Sequence, residues 1–346
     1  MAAAVIRYLR VSALFFVVQG CILALLIVVG RPSNTYLAAI TDKSERLASA
    51  PSPRLVLVGD SNLAFGVDSR RLQRRLAGRY HPVNMGLHGG LGLDFELNQA
   101  LAGARPGDII VLSPSYESVW ANTAESATLW SAILSQPTAW RFVPDTERPW
   151  LLERLLADNV PVIEMHDVAW MACNRVRAAT LDKMTDAARR ALGQTVTSRT
   201  NAYTRQGFNE YGDQTGAWGA ASKYDLQAEE PFPAGRPSGH LVQTVTTLRE
   251  FVAECANKDV RVVYAYPAVP EDWYLANRDK VEEISKALES SLEMPFLNQP
   301  ADVVYEPGLF FDTRYHLRRA GVEQRTNDLL RGLMPYLTSL GVSDGT

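Results

Sequence analysis

The chain has 346 residues, 47% hydrophobic and 21% charged, an ordinary globular balance with room for one large domain or two small ones. A formal net charge of −3 offers no electrostatic footprint for nucleic acid, so that partner class is set aside. Three cysteines, Cys21, Cys173 and Cys255, are too few for a disulfide framework and lack metal-ligand spacing; Cys173 and Cys255 fall in helical patterns and read as buried thiols.

Residues 11–29 contain no charged residue and are interrupted only by Ser12, Gln19 and Gly20. Nineteen residues rising about 1.5 Å each span about 28 Å, close to one bilayer core. Arg7 and Arg10 precede the run and Arg31 follows it. The positive-inside rule then keeps the N-terminus in the cytoplasm and exports the bulk of the chain. A cleaved signal peptide would have a shorter apolar core, and Ala48-Ser49-Ala50 lies about twenty positions too far along to serve it. Gly20-Cys21 suggests a lipoprotein site, but the apolar run continues beyond it. The reading is an uncleaved signal anchor over residues 1–31 and a partly helical tether over 32–53. An α/β domain over 54–340 and a short tail over 341–346 complete the chain. The protein is expected in the inner (cytoplasmic) membrane, single-pass, with its domain on the extracytoplasmic side.

Leu55-Val56-Leu57-Val58 runs into Gly59-Asp60-Ser61-Asn62. A continuous apolar run ending in a turn signal reads as a buried strand of a parallel sheet. Ser61 then sits at the carboxyl end of a strand, where α/β sheets carry their chemistry. Asp68 is an N-cap for a helix over residues 69–79. A second strand ends at Val83-Asn84-Met85-Gly86-Leu87-His88-Gly89-Gly90, a glycine-rich loop followed by a helix over 93–102. The third strand, 109–113, follows the turn Arg105-Pro106-Gly107-Asp108. From about 120 to 239 the α/β rhythm lapses. This stretch contains a long helical pattern over 164–192 and a polar, glycine-rich run over 195–238, and it reads as an insertion covering the site. The rhythm then returns: a helix over 240–257, a strand over 260–266 closed by Pro267, and a helix over 275–292. A short apolar segment, Val303-Val304, precedes Asp312-Thr313-Arg314-Tyr315-His316. The last helix, 317–340, is expected to break or kink near Pro335. Alternating strands and helices imply a three-layer α/β/α sandwich around a mainly parallel sheet.

Gly59-Asp60-Ser61 on the first strand and Asp312 with His316 before the last helix together resemble the SGNH, or GDSL-like, hydrolase superfamily. The resemblance spans roughly residues 54 to 335, its motifs only a few short blocks of it. It implies a flavodoxin-like fold, with Ser61 as nucleophile, His316 as base and Asp312 as orienting acid. It also implies an oxyanion hole from backbone N–H groups of Ser61 and Gly89, with Gly86 the alternative to Gly89. The family usually spaces its acid and histidine three apart; here the spacing is four. Most members carry Gly-x-Asn-Asp after the third strand, the Asn amide being an oxyanion donor. This chain has Ser113-Pro114-Ser115-Tyr116-Glu117 instead, and an ionised Glu117 cannot donate. Asn62, Tyr116 and Ser115 are the substitutes. Membrane-anchored, DltD-like branches also put Ser-Pro here.

A serine hydroxyl needs a base within hydrogen-bond reach, and the base an orienting acid. His316 takes the Ser61 proton and returns it to the leaving group; Asp60 holds the turn. The remaining histidines, His81, His166 and His240, have no ligand spacing, and neither cofactor nor metal is expected. The expected function is a serine esterase or O-acyltransferase acting on acyl groups, acetyl above all, of an envelope or secreted glycan. Trp130, Trp140, Trp218, Tyr203 and Tyr211 of the insertion are candidates for stacking on sugar rings. A multi-spanning membrane acyltransferase is the partner class this implies, beside the bilayer itself. A lipid esterase or thioesterase, and an inactive glycan- or partner-binding module, are the alternatives.

Overall fold

The computed structural model describes residues 2–30, 34–157, 169, 202–233 and 239–341. The helical pattern over 164–192 (residue 169 apart), with Cys173 and His166, therefore lies outside the described residues, as does the tail from residue 342. The chain divides into two compact units, residues 1–33 with 151–199, and residues 34–150 with 200–346.

In the first unit, helix α1 (Ala2–Gly30) runs for 29 residues, beginning ahead of the expected apolar run. Its segment Val5–Ile22 is long and apolar enough to cross a membrane, with none of it buried inside the structure. Large side chains such as Leu9, Leu14 and Phe16 are exposed. An aqueous surface does not tolerate such a patch, which is the physical signature of a segment made for lipid or another apolar partner.

The second unit is α/β. Its elements run α2 (Ala39–Ser49), β1 (Arg54–Val58), α3 (Ser61–Ala64), α4 (Ser69–Arg75) and β2 (His81–Asn84). Then come α5 (Leu93–Gly103), β3 (Ile109–Leu112), α6 (Tyr116–Trp120), α7 (Ser126–Ser135) and α8 (Arg148–Ala157), whose last residues belong to the first unit. After the described part of the insertion follow α9 (Gly239–Asn257), β4 (Arg261–Tyr264), β5 (Val269–Pro270), α10 (Glu271–Ser291), β6 (Val304–Tyr305) and α11 (Arg319–Ser339). Strands β2-β1-β3-β4 form one all-parallel sheet in that order, with Val56 opposite both Val83 and Ile110. β5 and β6 pair separately.

The inner residues of the strands are mostly apolar because both faces are covered. Val56, Val58, Ile110, Leu112 and Tyr264 enter one core with Leu97 of α5, Leu248 of α9 and Ile284 of α10. Leu55, Leu57, Ile109, Val111 and Val263 enter another with Leu72 of α4 and Leu329 and Leu333 of α11. Leu57 is fully buried, and Leu57→Ala at such a site costs about 2–5 kcal/mol.

The stretch expected as a tether is partly helical, and over 34–53 it packs into the α/β unit. Helix α2 buries Ala39, Ile40, Lys43 and Leu47, and Lys43 donates to the carbonyls of Asn84 (2.9 Å) and Gly212 (2.5 Å). A Cβ at Gly103 of α5 would lie 2.3 Å from Leu47 Cδ2, so the two helices meet at the glycine. The last helix, expected over 317–340, runs from Arg319 to Ser339 and continues unbroken through Pro335. One lost ladder bond at Pro335 is outweighed by Leu333 and Leu337, both buried beside it.

Candidate active site

In the order β2-β1-β3-β4, β1 and β3 are neighbours whose onward connections run to opposite sides of the sheet. The crevice beyond their carboxyl ends is where open α/β sheets bind ligands. Ser61 starts α3 at the end of β1, and the loop from Ser113 to Glu117 leaves β3 beside it. The two backbones touch at Gly59, where a Cβ would sit 2.3 Å from the Ser113 carbonyl oxygen. Only glycine fits there.

Asp60 caps α3. Its Oδ1 accepts from the Asn62 N–H (2.9 Å) and Asn62 Nδ2 (2.7 Å), and its Oδ2 from the Ser115 N–H (3.1 Å). It therefore ties the β1 turn to the β3 loop, the role expected of it. Asn62 is fully buried, and its second amide proton goes to the Ser113 carbonyl (2.7 Å). Both protons are used, so the Asn62 amide is not available as an oxyanion donor. Of the other two substitutes, the Ser115 N–H is held by Asp60, and its hydroxyl lies 2.8 Å from Ser118 Oγ. The Tyr116 N–H donates to Tyr315 Oη (3.2 Å), and its phenol is buried without a partner among the described residues. By contrast, the N–H groups of Ser61 and Gly89 donate to no group among the described residues. A Cβ at Gly89 would meet nothing nearer than Asp60 Oδ2 at 3.8 Å, whereas one at Gly86 would lie 2.6 Å from the Asp60 carbonyl oxygen. Gly86 is thus a packing glycine, and Gly89 borders open space.

Asp312 and His316 come from the loop before α11. His316 Nδ1 lies 2.9 Å from Asp312 Oδ1, so the four-residue spacing brings the pair together. The imidazole stacks on Phe65, ring centroids 3.9 Å apart and 15° from parallel. Tyr203 Oη donates to Asp312 Oδ2 (2.5 Å) and lies 3.1 Å from His316 Nδ1. Burial works to raise the Asp312 carboxyl, but hydrogen bonds from His316 and Tyr203 and the charges of His316 and Lys223 outweigh it and hold it below the usual range. Ser61, Asp312, His316 and Gly89 line one cleft of about 430 Å³. Ser61 Oγ makes no hydrogen bond among the described residues, so its hydroxyl is open to a base or a substrate.

Glu117, in α6 just after β3, points to the histidine loop. Its Oε2 accepts from Tyr315 Oη, and Arg314 Nε lies 3.4 Å from its Oε1. Arg314 also reaches Glu229 (3.2 Å) and the Glu230 carbonyl (2.8 Å), so β3, the insertion and the loop before His316 are fastened at one guanidinium. Burial raises the Glu117 carboxyl, and Arg314 and Tyr315 hold it back. His88 accepts from the Gly90 N–H at Nδ1 (2.9 Å), and burial lowers its ring. It shapes the glycine loop.

The insertion contributes differently from expectation. None of Trp130, Trp140, Trp218 and Tyr211 lines the cleft. Arginines cover three of these rings: Arg148 lies over Trp140, Arg319 over Trp218 (4.2 Å) and Arg46 over Tyr211. Tyr203 is at the site, but its hydroxyl is bound to Asp312. The sequence reading missed Phe65 and Arg325. Arg325 of α11 is buried and donates to the Asn62 carbonyl (2.5 Å), Asn62 Oδ1 (2.6 Å) and Ser113 Oγ (3.0 Å). An arginine in the apolar stripe of the last helix, between Val322 and Leu329, was the available signal.

No protein-family model matches this chain, and no curated protein sequence matches it.

Proposed function

We propose that the chain is a serine esterase or O-acyltransferase of SGNH type, held at a membrane by α1 and acting on its extracytoplasmic side. The observation that carries the reading is the shared cleft: Ser61, the Asp312–His316 pair and the unpaired N–H groups of Ser61 and Gly89 border the same space. His316, with Nδ1–H donated to Asp312, presents Nε2 as the base. It takes the Ser61 proton as Oγ attacks an ester carbonyl. The oxyanion forms against the two amides, a type of contact worth about 10²- to 10³-fold in turnover. Collapse expels the alcohol, protonated by His316, and leaves acyl-Ser61. Water or a sugar hydroxyl then attacks the acyl carbon and regenerates the serine. Acetyl esters of an envelope or secreted glycan are the substrate class in this reading, supported by the apolar helix α1 and by the resemblance of the site motifs. Arg7 and Arg10, in the first turns of α1 and ahead of its uncharged run, support the orientation. Glu117 supports activity rather than its loss, because its contacts with Arg314 and Tyr315 keep it engaged with the His316 loop.

The test is covalent. A fluorophosphonate probe should label the full chain at Ser61, seen by peptide mass mapping. Ser61→Ala and His316→Ala should each abolish labelling. Undiminished labelling of Ser61→Ala would remove the reading.

A further inference from the structure

We propose that Tyr203 is a positioning residue of the Asp312–His316 pair, an inference that rests on the hydrolase reading above. Asp312 sits on a loop, its side chain 21% exposed. A carboxylate so placed exchanges partners with water unless a second donor holds it. Tyr203 is that donor. With Oδ2 bound to Tyr203 Oη at 2.5 Å, Oδ1 is the oxygen left to His316 Nδ1 at 2.9 Å. The same phenol lies 3.1 Å from Nδ1, so all three groups share one small triangle. Burial beside Asp312 pushes the Tyr203 phenol up, and it remains a donor through neutral pH.

Tyr203 is itself fastened. Its ring lies 5.8 Å from Phe65, the ring on which His316 stacks, and 5.9 Å from Tyr36. Tyr36 Oη is anchored on the Leu87 carbonyl at 2.6 Å. Thr204 bridges Thr35, the Arg205 N–H donates to the Asn34 carbonyl (3.3 Å), and the Arg205 side chain pairs with Asp42. The stretch from Asn34 to Asp42 therefore holds Tyr203, and Tyr203 holds the pair. Other charged or titratable groups whose fields reach the pair include Glu229, Lys223, His88 and Tyr36. None of these four donates to Asp312 among the described residues, where Tyr203 and His316 are its hydrogen-bond partners.

Tyr203→Phe keeps the ring and removes the hydroxyl. With an activated acetyl ester and the full chain, kcat should fall about 5- to 30-fold, the loss of one hydrogen bond to a charged group, with KM within about 2-fold. In an Asp312→Asn background the same change should alter kcat by less than about 2-fold. Unchanged kcat in Tyr203→Phe, or an equal loss in both backgrounds, would overturn the proposal, the second result meaning that the residue only packs. A second measurement is independent of turnover. In protein labelled at histidine, the Nδ1 proton of His316 should shift in the NMR spectrum of Tyr203→Phe. An unmoved signal would overturn the positioning role. Absence of Ser61 labelling in the unaltered chain would count against the hydrolase reading alone, because the NMR signal still decides the role of Tyr203.

Discussion

Arg325→Met would remove the buried cation that joins the last helix to the Ser61 turn. Burial lowers the guanidinium to about 10, so it is charged at neutral pH. It supplies the Asn62 carbonyl, Asn62 Oδ1 and Ser113 Oγ, and both Asn62 and Ser113 are fully buried. The space is already full, since a Cβ at Gly66 would lie 2.2 Å from Arg325 Nη1. Methionine fills the volume, leaves the Asn62 carbonyl without its donor, and leaves Asn62 Oδ1 and Ser113 Oγ with only their long contact to each other (3.5 Å). Each stranded group costs about 1–3 kcal/mol, and release from burying a charge returns part of the sum, for a net loss of about 3 kcal/mol. With a urea slope of about 2–3 kcal/mol per molar, the midpoint should fall by about 1–1.5 M. The assay is urea unfolding of the full chain in detergent, followed by tryptophan fluorescence. Labelling of Ser61 by a fluorophosphonate should slow in the same variant below its unfolding midpoint, because Asn62 also holds Asp60. A midpoint within about 0.3 M of the parent would refute the argument that these buried groups depend on Arg325.

Two further predictions follow from local geometry. Gly86→Ala should lower the thermal midpoint by several degrees, since its Cβ meets the Asp60 carbonyl at 2.6 Å and Leu63 Cβ at 2.7 Å, whereas Gly89→Ala, with nothing nearer than 3.8 Å, should leave it unchanged; equal midpoints in a thermal melt would sink the distinction. Burial lowers Lys43 from its ordinary value to about 7, so between about pH 7 and the unfolded value of 10.5 the unfolded chain binds more protons than the folded one, and stability rises with pH across that window. Lys43→Met lacks this dependence, so the gap in urea midpoint between parent and variant should move in the parent's favour from pH 7 to pH 9; a constant gap would contradict it.

Some of this molecule was legible locally. Strands β1 and β3 are unbroken apolar runs because both their faces are buried, and a run needs no partner to be recognised. The apolar length of α1, the turn at Gly59 and the helices on either side of β4 are written in the same way. Helix ends shifted by a few residues, as they do when packing rather than propensity stops a helix. The candidate residues Ser61, Gly89, Asp312 and His316 could be named from the sequence because three short blocks carry them, and the structure brings them to one cleft.

Other features depend on partners far away in the chain. Residues 34–53 are polar enough to read as a linker, and only the pocket made by Asn84 and Gly212 turns Lys43 into a core residue. Asn62, beside the serine, looked like a donor until Asp60 and Ser113 took both its protons. Glu117 looked like a defect in the third block until Arg314 and Tyr315 met it from almost two hundred residues away. Tyr203 and Arg325 carry no local mark of what they touch. Periodicity and turn chemistry are short-range properties and so determine strands, helices and the long apolar segment at the N-terminus. Which buried polar groups satisfy one another is settled only when the chain closes on itself, because a hydrogen bond needs its partner within about 3 Å and sequence distance says nothing of that.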